Sequence, residues 1–181
     1  MSWFKKKRSL RISPILLADQ LYQILVEEND PQAAPQAAPE KYHLPAEVHE
    51  RFRQKVFLYR EANVLSALLD WAKEDPALFE QPLQEYERIL FPQSPGTPAA
   101  PSARLLAVRA AMADLQELFQ LTRQGGGQLS WSKKWFADIG RDETNPVTLV
   151  LLSTFWLDLH IAVQKSLNAI GGRSPKGYGS D

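Results

Sequence analysis

The chain has 181 residues, 21 of them basic and 21 acidic, and no cysteine. Zero formal net charge argues against a dedicated nucleic-acid binder, and the lack of thiols excludes disulfides, zinc–thiolate sites and cysteine nucleophiles. The length suits one domain, and 44% hydrophobic residues suffice for a core.

The charge is unevenly spread. Five of the 21 basic residues precede Pro14, with no acid among them. Residues 1–13 therefore read as a basic arm ahead of a mildly acidic body. Within it Trp3 and Phe4 adjoin Lys5, Lys6, Lys7 and Arg8. Rings beside lysines suit an anionic membrane surface, where aromatics sit at the interface and cations meet lipid phosphates. The bland alternative is a solvated terminus. No clean apolar run with a cleavage site follows, so a signal peptide is not expected.

Ser13–Pro14 is a cap-and-start signal. It opens a helix to Glu28 with Leu17, Leu21, Ile24 and Leu25 on one face. The stretch 30–39 reads DPQAAPQAAP, and its prolines forbid a regular helix. We expect a linker near 30–44. Glu40 and His43 form a lone E-x-x-H match. Di-iron bundles need two such motifs and further carboxylates, so no metal and no cofactor is expected.

A long helix is expected over Pro45–Lys73, with an apolar side that switches near Val56–Tyr59. Val48, Phe52, Val56 and Tyr59 share the first face; Phe57, Val64, Leu65, Leu68, Trp71 and Ala72 share the second. No proline forces a bend, so the two halves should meet different neighbours. Glu61 falls amid the second face. A carboxylate there must be paired, hydrogen-bonded or protonated. A salt bridge to a neighbouring Arg or Lys is the plain reading; a tuned acid is the functional one.

Further helical signals cover 76–90, and PQSPGTPAAP at 92–101 reads as a second linker. From Ser102 to Arg123 the residues Leu105, Val108, Met112, Leu115 and Phe119 form a short heptad seam suited to a bundle. Gly125–Gly127 ends it. A short helix over 130–139 holds Trp131, Trp135 and Phe136 around Lys133 and Lys134, with Gly140 closing it.

The longest apolar stretch is Pro146–Ile170. Thr144 or Asn145 can cap it, Pro146 suits its first turn, and Gly171 stops it. Its main face carries Leu151, Leu152, Phe155, Leu159, Val163 and Ile170, with Trp156 and Leu167 at its edge. Val150, Leu157 and Ile161 make a second stripe, interrupted by Thr154. Such a helix is expected at the centre of a bundle or with one side offered to a partner. As a membrane span its apolar core, Val147–Val163, holds Asp158 and His160 and falls short of ~20 residues. Asp158 and His160 lie about 200° apart on a helix and cannot form a dyad. Residues 172–181 read as a flexible tail.

The expected fold is all-α: a single-domain bundle of five or six helices spanning 14–171, with two proline-rich linkers and disordered termini. No nucleotide-binding loop, zincin motif or nucleophile elbow is present. The function expected first is a non-catalytic interaction, adaptor or assembly module in the cytoplasm, tethered to an anionic membrane by its basic arm. Its partner-binding residues would be Val150, Leu157 and Ile161, or Phe52 and Tyr59. The alternative is a ligand-binding or enzymatic bundle using Glu61 with His160.

Overall fold

The computed structural model describes residues 13, 38–74 and 103–170. The basic arm, the helix expected over 14–28, the helical signals over 76–90 and the 92–101 linker lie outside the described residues. Among the described residues the fold is all-α. Its helices are α1 (His49–Glu74), α2 (Ala103–Arg123), α3 (Gln128–Ala137) and α4 (Pro146–Ile170), preceded by short 3-10 turns at Pro39–Tyr42 and Ala46–Val48.

Each chain reversal is closed by the same hydrogen-bond pattern. After α2, the Gly126 N–H donates to the Leu121 carbonyl and the Gly125 N–H to Thr122. After α3, the Arg141 N–H donates to Phe136 and the Gly140 N–H to Ala137. Gly125 and Gly140 take φ of 78° and 83°, the left-handed conformation this cap requires. The turn Pro39–Tyr42 closes likewise, with His43 left-handed at φ 50°. Pro39, Tyr42 and Leu44 are buried there. The C-terminal part of the expected 30–44 linker is therefore a packed turn, held because Tyr42 supplies a ring to the core.

The start of α4 is fixed by two side chains. Glu143, itself buried, accepts from the backbone N–H groups of Thr144 and Asn145 at 3.0 and 2.8 Å. Asn145 Oδ1 then accepts from Val147 N–H at 2.9 Å, so Asn145 is the cap.

One stretch of α1 is enclosed on every side. All ten residues from Tyr59 to Leu68 are buried. It packs on both α2 and α4, while α3 packs on α4. Tyr59 meets Trp156, and Asn63 meets Trp156 and His160 further on, so α1 and α4 run parallel. The first half of α1 meets the rings of α3, while Phe57, expected on the second face, is exposed. Phe52 and Tyr59 enter an aromatic cluster with Tyr42, Trp131, Trp135 and Trp156, at centroid separations of 5.3–6.2 Å. Beyond them Val64, Leu65, Ala67 and Leu68 complete the core.

The centre of the bundle is thus α1, not Pro146–Ile170. That helix keeps one open side, and its core face is turned toward Trp156 and Leu167. Both have no exposure, whereas Leu151, expected on the core face, is 36% exposed. Trp156 has far more surface to bury than Leu151, and it turns the buried face toward itself.

Small residues let α1 sit between its neighbours. Ala62 has no exposed surface, while Val150 on α4 is 49% exposed. Ala62→Leu should destabilise by about 1–3 kcal/mol through overpacking. Val150→Ala should shift stability by no more than about 0.5 kcal/mol. Urea unfolding of both variants checks the assignment of centre and surface.

Candidate functional site

Enclosing part of α1 buries polar side chains, and Glu61 and Asn63 are satisfied in different ways. Glu61, 6% exposed, is gripped by the Arg104 guanidinium at the start of α2. Arg104 Nε also donates to Glu61 Oε2 at 3.3 Å, making the pair two-pronged. The guanidinium lies 5.5 Å from the Phe57 ring centroid. Glu61 is a structural carboxylate tying α2 to α1.

Two residues on, Asn63 points to the other side of α1. It is fully buried, donates from Nδ2 to the Trp156 carbonyl at 3.1 Å, and places Oδ1 2.9 Å from His160 Nδ1. His160 Nε2 lies 3.0 Å from Gln164 Nε2, and its ring centroid lies 4.4 Å from that of Phe119, tilted by 43°. With Asn63 Nδ2 donating to Trp156, its Oδ1 accepts from His160 Nδ1–H, and Nε2 accepts from Gln164 when the imidazole is neutral. Burial pushes the His160 pKa down, opposed by Asp70 and reinforced by Arg123. Glu61 and His160 are held by different partners on opposite sides of α1. The structure does not bring the two together.

A third polar group anchors α3. Lys55 Nζ donates to Asp138 Oδ2 at 2.6 Å and to the Trp135 carbonyl at 3.1 Å. It lies 4.8 Å from the Trp135 ring centroid and 5.4 Å from that of Tyr59. Burial pulls its pKa down, and Asp138 pulls it back up. Tyr59 donates to Asp114 Oδ2 at 2.6 Å, and Trp131 Nε1 donates to the Asp114 carbonyl at 2.8 Å. Burial first, then the Asp114 bond, pushes the Tyr59 hydroxyl up, so it stays protonated. These groups bind helix to helix; none is poised as an acid, base or nucleophile.

The expected partner-binding residues divide. Phe52 and Tyr59 are 0% and 3% exposed. Their stripe is core, because α3 and the Pro39–Tyr42 turn supply the rings that cover it. Val150 and Ile161 are exposed and Leu157 is half-buried. Val147 and Leu151 join them on the open side of α4, which sequence reasoning had not assigned. Trp131, Trp135 and Phe136 are buried while Lys133 and Lys134 face outward. Residues Trp3, Phe4, Lys5, Lys6, Lys7 and Arg8 lie outside the described residues. Glu40 sits 3.8 Å from both His49 and Arg53. No group of side chains among the described residues could hold a metal ion.

By length and composition α4 is also apolar enough to cross a membrane over Pro146–Ala169, although much of it is packed within the bundle. Comparison with protein families, characterised proteins and solved structures gave no significant match.

The His160 contacts carry a pH dependence. Its native pKa lies below the unfolded value of about 6.5, so the unfolded chain binds the extra proton first as pH falls. This contribution to stability is present above about pH 6.5 and declines below it. The urea midpoint should fall between pH 7.5 and 5.5, and His160→Gln should flatten that fall. Arg104→Met should cost about 1–3 kcal/mol by leaving the Glu61 carboxylate buried without its partner, with Glu61→Leu/Arg104→Met recovering most of it.

Proposed function

We propose that this chain is a non-catalytic interaction or assembly module that docks a protein through the open face of α4. The observation that carries this reading is the run of exposed apolar side chains on one helix. Val147, Val150, Leu151 and Ile161 are 64%, 49%, 36% and 37% exposed. Solvent-facing side chains of this size gathered on one face are the usual mark of a docking surface. Glu61, Asn63, His160 and Tyr59 are engaged in contacts between helices, which turns attention to the surface.

In the same reading the complete bundle has five or six helices, with segments 14–28 and 75–90 adding to those described and the proline-rich stretches joining them. Residues 1–13 act as a basic arm that holds the cytoplasmic module on an anionic membrane surface. Four adjacent cations at about 1 kcal/mol each give weak, salt-sensitive attachment. The neutral overall charge favours a protein partner over nucleic acid.

The double substitution Val150→Asp/Ile161→Asp tests the docking face. It should leave stability within about 1 kcal/mol of wild type, because both sites face water. A photo-crosslinker at Leu151 should capture a protein from native extract in the wild-type background and lose it in the double variant. A loss of stability above about 2 kcal/mol would mean that the face is packed within the chain, and the reading would fall.

A further inference from the structure

Six positions on the open side of α4 recur at alternating spacings of four and three: Val147, Leu151, Thr154, Asp158, Ile161 and Lys165. All six are exposed. Such spacing is a heptad seam, by which two helices pack side by side at a shallow angle. The polar members of the seam decide what can lie on it. An apolar groove or lipid tails would bury the Asp158 carboxylate without a partner, at high cost. A parallel second α4 would place Asp158 against Asp158.

An antiparallel second copy resolves both problems. Thr154 and Asp158 lie symmetrically about Trp156 in the sequence. Across a two-fold axis at that level, Thr154 of each chain faces Asp158 of the other. The hydroxyl donates to the carboxylate, and the bond forms twice. On either side Leu151 meets Ile161 of the second copy. At the ends Val147 lies against the methylene stem of Lys165, whose ammonium extends to water.

We propose that α4 is a homodimerisation helix, pairing antiparallel with a second copy of this chain through that seam. The proposal rests on the reading of α4 as a docking face and names its occupant. From 147 to 165 the seam is about 27 Å long. A single helix pair of that length is small beside the roughly 1,200–2,000 Å² of stable complexes, so the dimer forms reversibly.

Sedimentation velocity of the full chain from about 1 to 500 µM tests this, since mass action makes a reversible dimer concentration-dependent. The mass should climb from 20.5 kDa toward twice that value. Thr154→Asp, which sets carboxylates face to face, should weaken dimerisation about tenfold or more. Thr154→Asp/Asp158→Lys should restore it, because opposite charges then meet across the axis. A 20.5 kDa species throughout would overturn the dimer. It would leave the docking face standing, which fails separately if Val150→Asp/Ile161→Asp destabilises the monomer. A folded double variant that associates as weakly as Thr154→Asp would also overturn the proposal. So would a monomer that binds anionic vesicles only when Val150 and Ile161 are intact.

Discussion

Burial of ten consecutive residues of α1, Tyr59–Leu68, is the constraint from which the rest of the structure follows. A helix enclosed for nearly three turns cannot leave its polar positions to water. Glu61 therefore requires Arg104, and Asn63 requires Trp156 and His160. The two demands lie on opposite sides of α1, and they fix α2 on one and α4 on the other. Tyr59 adds a third tie by meeting three tryptophan rings while its hydroxyl reaches Asp114. Apolar burial supplies the driving force, and these bonds fix how the helices pair.

Enclosing α1 has a geometric consequence for α4. With α1 and α3 covering one side of it, α4 faces away from the described bundle along Val147, Val150, Leu151 and Ile161. The same helix thus supplies core and surface. Its buried half holds Trp156 and His160, and its open half bears the features from which a docking function is proposed. The ion pair, the histidine relay and the caged Lys55 look like candidate chemistry when read singly. Together they are the fasteners of a bundle.

Much of this was legible in the residues. Helix ends were readable where a local cap sets them: Asn145 and Pro146 start α4, and Gly125 and Gly140 close α2 and α3. The change of face along Pro45–Lys73 was only partly informative: Tyr59 and Asn63 both meet Trp156, and Phe57 is exposed. Helical class followed from periodicity. Which helix lies at the centre was not legible, because hydrophobicity along one helix says nothing about how many neighbours surround it. Pro146–Ile170 is the more apolar, yet α1 is enclosed, since Ala62 and Ala67 let neighbours approach. The Phe52–Tyr59 stripe looked free because its cover comes from distant segments, Tyr42 and α3. Glu61 stood out as a lone charge among apolar residues, whereas Asn63 was passed over. An amide between Ala62 and Val64 carries no charge to mark it, and its partners lie about a hundred residues away.

One side of α4 lies in the core and the other is open. The chain contains no cysteine, so single cysteines report accessibility without background. The most direct measurement is the thiol-labelling rate of Val147→Cys, Val150→Cys and Ile161→Cys against Leu152→Cys, Leu159→Cys and Val163→Cys, in dilute native protein. Labelling should run near the rate of a free thiol at the first three positions and slow by about a hundredfold or more at the last three, where reaction waits on opening of the fold. Equal protection of both sets would place α4 wholly inside the bundle and leave no open side.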